Sequence, residues 1–134
     1  MSPDAALLDL LDREPELLVE VAKRSQAVNE SGQDYSDEDV AQIVHAFGGA
    51  LREALAGTGS DARDLLMQTA VPAVVARGET PATLARSATV FGVLLAGAVR
   101  ERVPAELTEG AVEWLAGFFG AWAHDVVEAA RSAG

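Results

Sequence analysis

Between Arg86 and Arg100 lie thirteen residues, Ser87-Ala-Thr-Val-Phe-Gly-Val-Leu-Leu-Ala-Gly-Ala-Val99, without one charge. The run is shorter than the roughly 20 apolar residues that span a bilayer. As a helix it is apolar around nearly its whole circumference, which a soluble chain tolerates only where other helices cover it on several sides. Its start is marked by Gly78-Glu-Thr-Pro81. Gly78 can take the left-handed conformation that ends a helix, Thr80 can cap the next one, and Pro81 suits a first turn. The chain therefore reads as a compact helical body built around a central helix.

At 134 residues the chain is one domain with room for a real core. Hydrophobic residues make up 49% and aromatics only 5%, so that core is mostly Ala, Leu and Val, which favours helix over sheet. No cysteine is present, which removes disulfides, thiolate nucleophiles and cysteine metal sites together. With an N-terminus that lacks the basic and apolar regions of a signal peptide, this leads us to expect a cytoplasmic protein. The formal charge of −11 argues against nucleic acid or anionic membrane as partners, since both call for clustered Lys and Arg. The acidic excess reads as a solvated surface.

Six helices are expected, and no strand. The first covers residues 5 to about 13 and the second 15 to about 29, with Val28 on its inner side. Residues 29–35 form a loop by composition. Ser36 caps a third helix that runs to about residue 56, with Val40, Ile43, Val44, Phe47, Leu51 and Leu55 at helical spacing. After Gly57-Thr-Gly59, Ser60 caps a fourth, with Leu65, Leu66, Met67, Val71, Val74 and Val75 as its apolar positions and Pro72 predicting a kink or break. The fifth runs from residue 81 to about 103. Pro104 and a capping Thr108 separate it from the sixth, residues 109 to about 132.

The last two helices carry more apolar surface than a monomer edge requires. On the sixth, Trp114, Phe118 and Trp122 form the outer edge of an apolar arc of roughly 160°. On the fifth, Leu84, Ala88, Phe91, Leu95 and Val99 make one stripe, and Val90, Val93 and Gly97 a second, with small residues at Gly92, Ala96 and Gly97 that admit a close neighbour. These faces predict a homodimer whose interface includes Val90, Val93, Gly97, Trp114, Phe118 and Trp122, closed as a four-helix bundle.

No catalytic constellation assembles, and the chain reads as non-enzymatic. His124 and Glu128 are one turn apart, but one imidazole and one carboxylate are too few for a metal site, and His45 has no acidic helical neighbour. Neither a metal nor a cofactor is expected.

The segments Tyr35-Ser-Asp-Glu-Asp-Val40 and Arg77-Gly-Glu-Thr-Pro-Ala-Thr-Leu84, the second leading into a long apolar helix, resemble the N-terminal sensor domain of RsbR-type stressosome proteins, the RsbT co-antagonist family. The resemblance covers roughly residues 15–132. It implies a globin-like fold without haem and a dimeric sensory module. The dimer would be made by its two long C-terminal helices, and signals would pass to a C-terminal domain of the anti-sigma-antagonist type or to other regulatory proteins. A proximal haem histidine would fall around residues 62–77, where there is none. The family's domain normally continues into a linker, whereas this sequence ends at Gly134, so it either stops at that linker or belongs to a stand-alone relative. The alternative is a small-molecule binding domain. Its apolar pocket would lie between the fourth, fifth and sixth helices near Met67, Phe91 and Trp114, and would suit a ligand such as a fatty acid or isoprenoid.

Overall fold

The computed structural model describes residues 1–28 and 35–133. Among the described residues the chain is all-helical: α1 (Pro3–Arg13), α2 (Leu17–Val28), α3 (Asp37–Ala56), α4 (Asp61–Ala76), α5 (Pro81–Arg102) and α6 (Ala105–Ala133). Of the loop expected at residues 29–35, residues 29–34 lie outside the described residues.

Helix starts follow their capping residues. Ser36 and Asp39 form a reciprocal capping box at α3, and Thr80 and Thr83 form another at α5, with Pro81 in its first turn. The α4–α5 connection is a Schellman turn. Gly78, at φ 106°, donates its N–H to Val75, and the Glu79 N–H reaches back to Val74 at 3.1 Å. α1 starts two residues before expectation, at Pro3, and α2 two residues after it, at Leu17; the beginnings of α4 and α6 differ in other ways. Ser60 stands at the N-cap of α4, but its hydroxyl donates to Asp64 and caps no backbone N–H. The last helix begins at Ala105, four residues before the expected start. Thr108 lies inside it and turns its hydroxyl back to the carbonyls of Val103 and Pro104, since Pro104 itself is compatible with helix entry. Pro72 does not break α4, which continues to Ala76.

α5 and α6 form a helical hairpin joined only by Val103 and Pro104. They approach so closely that a Cβ built at Gly92 would stand 2.9 Å from Phe119 Cγ. α2 lies against α5, α4 against α6, and α3 bridges α2 and α4. Phe47 of α3 is the hub of the core. Its ring lies 5.0 Å from Phe91, 5.7 Å from Phe119 and 5.2 Å from Trp122, bringing α3, α5 and α6 together. Leu10, Leu51, Leu95, Leu115 and Val99 are among the fully buried side chains of the core. Val28, Ile43 and Leu65, expected on inner faces, are exposed.

By length and composition α5 is the one helix among the described residues long and apolar enough to cross a membrane. The charge-free run is shorter than a bilayer, but the full 22-residue helix extends about 33 Å. It packs against α2 and α6 on its inner side and leaves its other side open.

Candidate functional site

A cavity of about 250 Å³ lies between α2, α3, α4, α5 and α6. Its walls are mainly hydrocarbon and aromatic: Val40, Val44 and Phe47 from α3, Leu66, Ala70 and Val71 from α4, Leu84, Ala88 and Phe91 from α5, and Phe119, Trp122 and Val126 from α6. Ile43, 40% exposed, also lines it, so the cavity reaches the surface. The volume exceeds that of an engineered cavity of about 150 Å³ that stays dry and binds benzene. At about 24 cal/mol per Å³, the dispersion contacts restored by filling it approach roughly 6 kcal/mol as an upper bound.

Its polar lining comes from α2, from Tyr35 and from the start of α5: Ser25, Gln26, Tyr35, Glu79 and Ser87. The Schellman turn places Glu79 immediately before the cap of α5, where a carboxylate meets the positive end of the helix dipole. Glu79 is only 6% exposed. It accepts hydrogen bonds from the Thr83 hydroxyl at 2.6 Å and the Tyr35 hydroxyl at 3.1 Å. Burial, and then the charge of Glu79, push the Tyr35 hydroxyl up to about 12, so it remains a proton donor. The Arg77 guanidinium lies 4.5 Å above the Tyr35 ring and pairs with Asp39 at 3.3 Å. That hydrogen bond, with help from the Ser36 N–H, holds the Asp39 carboxyl below its ordinary range.

Ser25 is also 6% exposed. A serine inside a helix commonly turns its hydroxyl to the carbonyl four residues back, yet among the described residues no hydrogen bond engages this hydroxyl. A buried hydroxyl left in that condition costs about 1–3 kcal/mol, so it is a ready partner for a molecule in the cavity.

Of the pocket residues expected from sequence, Phe91 lines the cavity, whereas Met67 and Trp114 do not. The cavity is displaced toward α2 and α3, because Phe118 stacks between Trp114 and Trp122 and fills the space on the Trp114 side. Ser25, Gln26 and Tyr35 were missed because nothing in their local pattern distinguishes them from solvated helix and loop residues. The buried Glu79 had a weak signal: a carboxylate between a helix-ending glycine and a helix-capping threonine.

The faces expected to meet a second copy divide into two groups. Val93 is 67% exposed and Gly97 is open, with nothing within 4 Å of a Cβ added there. Val90, Trp114 and Phe118 are half-buried. Trp122 is buried by its own chain, edge-on to Phe47. The tryptophan edge of α6 thus faces α3, and Arg63 of α4 pairs with Asp125 beside it. The open side of α6 carries Ala116, Gly117, Gly120 and Ala121 instead.

Both histidines are exposed, with His124 Nδ1 3.3 Å from Asp125. No group of three or more His, Asp or Glu able to hold a metal is found among the described residues. No protein-family model, curated protein or solved structure matches the chain.

Proposed function

We infer that this protein is a non-enzymatic regulatory module that receives a small, mainly apolar molecule inside its helical body. The cavity carries this reading: about 250 Å³ of mainly hydrocarbon and aromatic wall, with the buried polar side chains of Ser25 and Glu79 in its lining. Pockets of this make-up, apolar with a few placed polar groups, are the usual form of small-molecule sites. The stressosome-type role in the cytoplasm, and a globin-like arrangement without haem, belong to the same reading. Their support is the Arg77 to Leu84 turn, the absence of cysteine, and a fourth helix without histidine. A small apolar probe such as indole should raise the melting temperature, since a ligand at 100 times its Kd adds about 2.7 kcal/mol. Ala70→Phe, which fills the cavity from α4, should remove that response. If no apolar probe shifts the melt, the reading falls.

A second copy is the proposed partner, on one specific observation. The exposed positions of α5 and α6 include the small and apolar residues Val93, Gly97, Ala116, Gly117 and Gly120, together with charges of opposite sign on the two helices. Arg86 and Arg100 on α5 are about 21 Å apart along the helix, and Glu113 and Glu128 on α6 about 22 Å. A two-fold arrangement that lays α5 of one protomer along α6 of the other brings the two pairs into register. A bilayer is the competing occupant of this apolar face. Vesicle flotation of the wild-type chain would favour it over the dimer.

A further inference from the structure

We propose that the cavity is a site for a small cationic amphiphile, a primary alkylammonium with a hydrocarbon tail of about eight carbons; this rests on the ligand-binding reading above. The volume sets the size, being on the order of eight water-sized groups. The wall chemistry sets the tail, which lies against Phe47, Phe119, Trp122 and Val126.

The head follows from Glu79 and Ser25. Among the described residues, the hydrogen bonds that Glu79 accepts come from the neutral hydroxyls of Thr83 and Tyr35. Neither balances its charge, and a carboxylate has room for about four hydrogen bonds in all. An ammonium carries three donors and the opposite charge, and a charge-assisted bond in a poorly hydrated site is about twice as strong as a neutral one. The Ser25 hydroxyl, with no partner among the described residues, accepts a second ammonium proton. A carboxylate head would put like charge beside Glu79, which turns the selectivity away from fatty acids. Tyr35 and Thr83, both donating to Glu79, hold the carboxylate in place as positioning residues.

The test uses three probes of equal chain length, n-octylammonium, 1-octanol and octanoate, with fluorescence as the readout. Trp122 lines the cavity, and Trp114→Phe leaves it as the single tryptophan reporter. The ammonium should bind roughly tenfold more tightly than the alcohol, from the added strength of a charged hydrogen bond, and octanoate most weakly. Glu79→Gln should abolish the ammonium's advantage over the alcohol while leaving alcohol binding nearly unchanged. Should Glu79→Gln fail to fold, Ser25→Ala leaves Glu79 untouched and should weaken ammonium and alcohol alike. Octanoate binding as tightly as octylammonium, or a folded Glu79→Gln that keeps the preference, overturns the head-group assignment and leaves the cavity standing. No response to any of the three removes the cavity reading itself.

Discussion

The Tyr35 hydroxyl donates to the Glu79 carboxylate across 44 residues of sequence, at 3.1 Å, and so ties the entry of α3 to the entry of α5. Tyr35 is the chain's only tyrosine, so its titration can be read directly from the phenolate absorbance. The midpoint should lie near 12 in the folded protein and near 10 when the chain is unfolded. The proton is held more tightly in the folded state. The corresponding stability is therefore complete below pH 10 and is lost as pH rises through about 12. Glu79→Gln should lower the folded midpoint, and an unmoved midpoint would deny Glu79 its part in the shift.

Asp39 behaves in the opposite sense. Its carboxyl is held low by Arg77 and by the capping bond from Ser36, so its contribution is present above the ordinary value of 3.8. That contribution disappears as pH falls through the lowered folded value. Asp39→Asn should be less stable than wild type at neutral pH, and the two stability curves should converge on acidification. Parallel curves down to pH 2 would exclude the interaction.

Gly92 and Gly120 should respond to alanine with opposite signs. At Gly92 the new methyl meets Phe119, which Phe47 and Phe91 hold in place, so Gly92→Ala should cost about 1–3 kcal/mol in urea unfolding. At Gly120 the methyl meets nothing within 4 Å. There the monomer should gain about 0.5–1 kcal/mol from the lower backbone entropy of the unfolded chain. Equal effects at the two positions would mean that the α5–α6 approach is not as tight as described.

Val93→Arg should leave the fold intact, because an exposed substitution costs within about 0.5 kcal/mol. Sedimentation at micromolar concentration should show a dimer for wild type and a monomer for the variant. A wild-type monomer, or an unchanged dimer in the variant, would remove α5 from the interface.

Helix starts were legible wherever the stop and start chemistry was local. Ser36 and Thr80 cap from side chains three residues from their targets, and Gly78 ends α4 through its own φ. Burial was legible only to the width of a stripe. The spacing of Val40, Val44 and Phe47 shows that α3 has an inner face, but not that Ile43, at the same spacing, stays 40% exposed where it lines the cavity. The tryptophan edge of α6 illustrates the same limit, since its apolar excess was visible and its covering by α3 was not. The cavity was legible least. Phe91 could be named from its stripe. Ser25, Gln26 and Tyr35 become cavity residues only when α2 folds against α5, a relationship between segments some 60 residues apart that no local pattern carries.

The close contact of Gly92 with Phe119 has a mechanical consequence. α5 is one wall thick: its inner side borders the cavity through Leu84, Ala88 and Phe91, and its outer side is the open surface around Val93. With no methyl at Gly92 to act as a spacer, α5 rests directly on a ring that itself lines the cavity. An occupant that shifts Phe119 therefore pushes on the backbone of α5 at the level of Val93, and the push arrives outside with no other element in between. The cavity and the outer surface thus share a single partition, and were an occupant of one to change affinity at the other, the effect would have to be reciprocal and equal.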